Sequence, residues 1–137
     1  MDAATNEGRI EFGRIAAAIP VTDMTRALDF YTRVMGMTET FQNGNPVGFA
    51  ILKRDKGELH LSLDRNHKAT TTNVCHLLIS NARAFHDHCV NAGVRIVKGL
   101  RDQTYGLRAF VIADPDGNRI DIGQPISNPP KEPESPG

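Results

Sequence analysis

The chain contains no tryptophan, and only two tyrosines and six phenylalanines among 137 residues, so any aromatic recognition surface is small. Its two cysteines, Cys75 and Cys89, stand fourteen positions apart with no Cys-x-x-Cys pair, which excludes a zinc ribbon or a thioredoxin-type site. Each lies in an apolar pattern, and they read as two buried free thiols in a reducing, cytoplasmic compartment. Neither sign of charge is in excess: 16 Lys+Arg balance 16 Asp+Glu. A general nucleic-acid binder needs a basic stripe facing phosphates, and an anionic membrane surface needs a basic cluster; neither partner is expected. No run approaches the ~20 apolar residues of a membrane span. Residues 1–11 carry Asp2, Glu7 and Glu11 and lack the basic-then-apolar order of a secretory signal. No Gly-x-Ser-x-Gly elbow or phosphate-cradling glycine loop is present, and neither cysteine has the flanking signature of an activated nucleophile.

With 39% apolar and 23% charged residues, what remains has the makings of one globular domain with its own core. Residues 125–137 hold five of the eight prolines and few apolar side chains, so they are expected to form a loose tail. Residues 1–12 are expected to be flexible. Between them the chain is regularly punctuated. Residues 15–21 form a β-rich run, followed by Thr22-Asp23 as a helix N-cap. Ala27, Leu28, Tyr31, Val34 and Met35 then recur at helical spacing until Gly36 stops the helix. Strands are predicted over 37–42, 47–53 and 58–63, separated by the turns Asn43-Gly44-Asn45-Pro46 and Asp55-Lys56-Gly57. In the last of these strands Leu59, Leu61 and Leu63 alternate with Glu58, His60 and Ser62.

Polar, threonine-rich residues 64–72 read as a linker, after which the order recurs. A strand over 73–80 leads to Asn81 as a cap. A helix then carries Ala82, Phe85, Cys89 and Val90 on one face and ends at Gly93. Strands follow over 94–98, 107–113 and 118–123, with 99–106 as a loop and Asp114-Pro115-Asp116-Gly117 as a type I turn. Asp114 and Asp116 on such a turn cap the backbone rather than exchange protons. Val21-Thr22-Asp23 and Ile79-Ser80-Asn81 occupy matching places 58 residues apart. The expected fold is therefore α+β, two tandem βαβββ modules over 13–63 and 73–124 within a single domain spanning 13–124. His86 and His88 lie about 200° apart around a helix, cannot share an ion, and read as a solvated face. His67 has no identifiable partner in the linker.

The duplicated order, with residues 19–37 (IPVTDMTRALDFYTRVMGM), 48–63 (GFAILKRDKGELHLSL) and 105–125 (YGLRAFVIADPDGNRIDIGQP), resembles the vicinal-oxygen-chelate superfamily. That superfamily includes glyoxalase I, extradiol dioxygenases and bleomycin-resistance proteins. The Gly-x-Arg-x-Phe strand at 106–110, followed by Asp-Pro-Asp-Gly-Asn, is most similar to the bleomycin-resistance branch. The resemblance implies a curved mixed sheet around a cleft, paired across a homodimer. It also implies a small-molecule ligand that is sequestered without conversion, a bleomycin-type antibiotic being the specific expectation. One fold hosts many chemistries, so this is an expectation about the site and not about the fold alone.

Metal enzymes of the superfamily place three or four N or O donors on facing strands. By the resemblance, the first-strand position falls near Ala16 and the matching position in the second half at Val74, neither of them a donor. Glu58, His60 and Asp121 occupy the remaining positions, and His76 is a shifted candidate. The set is incomplete, and no cofactor is expected. The alternative is a metal-dependent lyase, isomerase or dioxygenase in which Glu58, His60, His76 and Asp121 hold a divalent ion. A further alternative is a protein-interaction module with a vestigial cleft. For the binding reading, the candidate ligand residues are Met37, Phe41, Phe49, His60, Tyr105, Arg108 and Asp121. Aromatic walls grip a planar ring by stacking, and Arg108, sharing a strand face with Phe110, is expected to pair with Asp121 across the final hairpin.

Overall fold

The computed structural model describes residues 8–131. The expectations for residues 1–7 and 132–137 lie outside them. Eight strands and two helical segments follow the duplicated order. The first module comprises β1 (Ala17–Val21), α1 (Met24–Asp29) continuing into a π-helical turn (Phe30–Val34), β2 (Thr38–Asn43), β3 (Phe49–Arg54) and β4 (Gly57–Leu63). The second comprises β5 (Asn73–Leu78), α2 (Ala82–Asn91), β6 (Arg95–Asp102), β7 (Leu107–Ala113) and β8 (Arg119–Pro125). Two four-stranded mixed sheets result, ordered β1-β4-β3-β2 and β5-β8-β7-β6, with the edge strands β1 and β5 lying against one another. In each sheet the first strand runs parallel to the last and the other pairs are antiparallel.

Local chemistry explains the boundaries. Asp23 caps α1 by accepting from the Arg26 amide at 3.0 Å, and Asn81 caps α2 by accepting from the Ala84 amide at 3.0 Å. The first helix ends as expected at Gly36, whose φ of +72° is a left-handed conformation that side chains resist. Its last turn widens: the Met35 amide reaches back five residues to the Phe30 carbonyl at 3.1 Å. The β3–β4 hairpin closes on Asp55, which adopts φ +51°. The spans differ from expectation at strand ends: β1 and β3 begin two residues later, β5 ends two residues earlier, and β6 and β8 run on. The second module's loop is shorter, because β6 continues through Gly99 to Asp102, with register shifts that absorb the extra residues. β8 extends to Pro125, which the amide of Ile126 helps to anchor by donating to the Gly106 carbonyl at 2.9 Å.

Alternation divides each sheet into two faces. Ile19, Val21, Ala50, Leu52, Leu59 and Leu61 are buried beneath the first helix, as are Phe110, Ile112, Ile120 and Ile122 beneath α2. Together with Tyr31 they form one continuous core shared by both modules. Cys89 is fully buried and Cys75 half-buried, and both thiols are free. Burial pushes each thiol up to about 11, so neither is a thiolate near neutral pH. Neither α2 histidine is simply solvated. The His88 Nε2 group donates to the Val34 carbonyl at 2.7 Å, and His86 meets the Phe110 ring edge-on at 5.2 Å. Val90, expected on the buried face, is 50% exposed. At about 100° per residue, His86 lies nearer than Val90 to the direction of Ala82 and Cys89.

The strongest polar junction joins the modules through the β7–β8 turn. The Asp114 carboxylate, itself buried, accepts from the Asp116 and Asn118 amides at 2.9 and 2.8 Å. Its other oxygen accepts from the Tyr31 hydroxyl at 2.8 Å and from Asn118 Nδ2 at 3.0 Å. Asn118 Nδ2 also donates to the Pro20 carbonyl at 2.9 Å, and Asn118 Oδ1 lies 2.7 Å from His67 Nε2, so the linker histidine does have a partner. Asp116 accepts from the Thr22 hydroxyl and, at 2.9 Å, from the Arg26 guanidinium. Burial first, and then the Asp114 carboxylate, hold the Tyr31 phenol well above its usual value, so it stays a donor.

Asp114→Ala is expected to lower stability in urea unfolding by roughly 2–4 kcal/mol, since it leaves several buried donors without an acceptor. A loss below half a kcal/mol would mean that the junction is structurally idle. The Cys89 thiol should react with a disulfide reagent near pH 8 only as fast as the protein opens, and at the rate of a free thiol once it is unfolded.

Candidate functional site

The faces turned away from the helices carry the chemistry. In the first sheet, register sets Ala18 beside His60, His60 beside Ile51, Phe49 beside Ser62, and Lys53 beside Glu58. Phe41 of β2 joins them, its ring centroid 6.3 Å from that of Phe49, and Phe49 in turn meets the His60 imidazole at 5.5 Å. The result is an edge-to-face run of Phe41, Phe49 and His60. Its outermost ring, Phe41, remains 50% exposed, an apolar surface left to water.

Glu58 borders this run. Its Oε2 lies 2.7 Å from His60 Nε2, and its Oε1 accepts from Arg14 Nε at 2.8 Å, with the Lys53 amine 3.6 Å away. The His60 hydrogen bond first, and then Arg14, draw the Glu58 carboxyl down to about 2. It is therefore a fixed anion at neutral pH, which also anchors the segment preceding β1 to the sheet.

On the second sheet, register sets His76 beside Asp121 and Asp121 beside Val111. His76 Nδ1 lies 2.9 Å from Asp121 Oδ2, with the imidazole largely in solvent. Asp121 thus belongs to a histidine pair and not, as expected from the sequence, to Arg108. Arg108 stands opposite Gln124, and its guanidinium grips Asp102 through two bonds of 2.7 and 3.1 Å. The reason is the pleat: Arg108 shares the helix-covered face with Phe110, whereas Asp121 points the other way. The Arg108 grip holds the Asp102 carboxyl below its usual value.

The remaining candidates are placed apart. Met37 is buried in the core at the end of the first helical segment, where its amide donates to the Tyr31 carbonyl at 3.0 Å. Tyr105 is 66% exposed at the tip of the β6–β7 turn, closed by the Gly106 amide donating to the Gln103 carbonyl at 3.1 Å. β2 and β3 lie at the outer side of one sheet and β6 and β7 at the outer side of the other, so the chain does not bring Tyr105 to Phe41 and Phe49. Arg14 was missed by sequence reasoning. Its signal, a lone cation before a strand, is too common to single out.

A chelated metal ion needs several convergent donors. Among the described residues no group of three or more His, Cys, Asp or Glu side chains could hold one. Glu58 with His60 and His76 with Asp121 form two separate pairs, and β1, the strand between them, presents Ala18. The sequence-based position near Ala16 lies just before β1, and Val74 stands two residues before His76 on β5; neither side chain has a donor atom. Among the described residues, the side chains of one chain therefore do not come together as a chelating set.

Two βαβββ modules, each with a helix-covered face and an open face bearing polar and aromatic side chains, define a class of paired-module cleft proteins. Residues 12–122 match the model of the Glyoxalase/Bleomycin resistance protein/Dioxygenase superfamily, and the chain belongs to that superfamily. An uncharacterized protein of Mycobacterium tuberculosis H37Rv is 28% identical over 120 residues, covering 77% of this chain and 71% of that protein. Among solved structures, a bleomycin resistance determinant encoded on transposon Tn5 superposes with a TM-score of 0.72 at 22% identity, covering 83% of this chain and 98% of that one. A bleomycin-binding protein complexed with bleomycin gives 0.70 at 22% identity, over 82% and 98% of the two chains. A superfamily member from Sphaerobacter thermophilus gives 0.71 at 24% identity, over 82% and 98%. These likenesses establish the fold.

Because the folded value of Glu58 is depressed, its contribution to stability is fully present above its ordinary value of 4.5 and is lost as pH falls through about 2. Carbon-detected NMR titration should give Glu58 a midpoint near 2 in the native protein and near 4.5 in His60→Ala/Arg14→Ala. A wild-type midpoint near 4.5 would mean that the His60 and Arg14 contacts do not hold in solution.

Proposed function

We propose that this protein binds a small planar or amphipathic molecule and sequesters it without chemical conversion, with a bleomycin-type antibiotic as the specific candidate and resistance to it as the consequence. The observation that carries this reading is the partly exposed edge-to-face run of Phe41, Phe49 and His60, held in place by Glu58. A flat ring can stack against that run, each ring contact adding ~0.5–1.5 kcal/mol beyond area burial. Since net charge is zero, long-range steering is weak, and affinity must come from ring contacts and local shape. The complexed bleomycin-binding protein shares the fold and lends the ligand class, not the contacts.

In this reading the working unit is a homodimer. Phe41 and Phe49 on one sheet and Tyr105 on the other are separated within the chain, and a second copy that set one module against the other's partner would face them across a cleft. His76 and Asp121 would then line the wall opposite Glu58 and His60. Met37 acts by supporting the sheet from the core, and Arg108 by bracing the β6–β7 hairpin through Asp102. The two free thiols are in keeping with a cytoplasmic setting. Among the described residues no helix is long and apolar enough to cross a membrane.

Titration calorimetry with bleomycin, with and without copper, tests the ligand. Saturable heat is expected, weakened about tenfold by Phe49→Ala and severalfold by Tyr105→Ala, the latter with little change in melting temperature. No heat at protein concentrations on the order of tens of micromolar removes bleomycin as the ligand. A stoichiometric divalent ion in untagged protein, lost on His60→Ala, would overturn the non-catalytic reading.

A further inference from the structure

A cavity lies away from the open faces, where the two modules meet on the helix side. It measures about 800 Å³ and is bounded by the end of the π-helical turn, the β3–β4 turn, the end of β5 and the first turns of α2. Val34, Met37, Leu77 and Phe85 give it an apolar lining. Leu78, also part of the wall, is 61% exposed, so its isobutyl group is left to water at the rim.

The charges around this cavity are unbalanced. Arg33 is neutralised by Asp29 through bonds of 3.1 and 2.9 Å. Arg54, by contrast, donates to the Met35 carbonyl at 2.9 Å, a neutral acceptor that leaves its charge uncompensated. Lys56, at the tip of the β3–β4 turn, makes no hydrogen bond or ion pair among the described residues. Asp55 is the one carboxylate in the wall. A largely apolar chamber with two unpaired cations at one side suits a ligand with an apolar body and an anionic head.

We propose that this cavity is a second binding site, separate from the open faces, for a monocarboxylate with an aliphatic or aromatic body. The carboxylate sits between Arg54 and Lys56, and the body lies along Val34, Leu77 and Phe85 with Leu78 closing over it. Filling the chamber links the two modules, so occupancy also stabilises their junction.

Calorimetric titration of the full-length protein with decanoate, below its micellar concentration, tests this. Decyltrimethylammonium serves as the control of opposite charge. Saturable binding of one decanoate per chain is expected, weakened at least fivefold by Lys56→Glu and about threefold by Leu78→Ser, and weakened by added salt. Both substituted side chains are exposed, so folding should be preserved. Absence of saturable binding, equal affinity for the cationic control, or an unchanged Kd in Lys56→Glu would overturn the proposal. So would loss of decanoate binding in Phe49→Ala, which would move the ligand to the open face. If Leu78→Ser lowers the oligomeric state and leaves decanoate affinity unchanged, the cavity is an interface between copies and the proposal fails.

Discussion

The Asp114 carboxylate is the point on which the rest of the structure depends. It organises its own turn by accepting two backbone amides, and it accepts the buried Tyr31 hydroxyl from the other module. Away from water each such acceptor is expensive to lose, because its donors have no alternative partner. The neighbouring Asn118 and Asp116 extend the same junction to Pro20, Thr22, Arg26 and His67. Two modules that each have only one helix over one sheet are thereby drawn into a single core. The open faces are free to carry chemistry because the helix faces alone supply the packing.

The faces differ accordingly. Where helices cover the sheets, most side chains are aliphatic or aromatic and closely buried, with Arg108 at the margin. Where they do not, Phe41, Phe49, Glu58, His60, His76 and Asp121 stand beside small residues such as Ala18 and Gly123. Small neighbours leave room, and the rings and charges give that room character. Glu58 shows how little is needed to define an anion on such a face: one imidazole and one guanidinium bring its carboxyl to about 2. A methyl group at Ala18, between the two histidine pairs, separates this face from a chelating one.

Much of this was legible in the chain. The alternation through Leu59, Leu61 and Leu63 assigned β4 its two faces, and the caps Asp23 and Asn81 placed both helix starts. The Asp114–Gly117 turn and its capping role were readable because Asp and Gly have few other reasons to occupy that pattern. The site was less legible. Pairing across strands depends on register, and a shift of one residue changes the face, which is why Arg108 meets Asp102 and Asp121 meets His76. His88 looked solvated and His67 without a partner because their acceptors, Val34 and Asn118, are 54 and 51 residues away.

By itself, then, the sequence determined the order of elements, the duplication, and which side of each strand is apolar. Those properties follow from local periodicity, capping and turn stereochemistry, which act within a few residues. Only the tertiary structure decided which charges meet, that Met37 belongs to the core, and that Tyr105 stands apart from Phe41 and Phe49. It also decided that a cationic, apolar cavity opens between the modules. These outcomes depend on register and on packing between segments remote in the chain, and no local pattern encodes them. The absence of tryptophan and of net charge keeps its meaning at this level: in the proposed reading, recognition rests on a few phenylalanines, one tyrosine and individually placed charges.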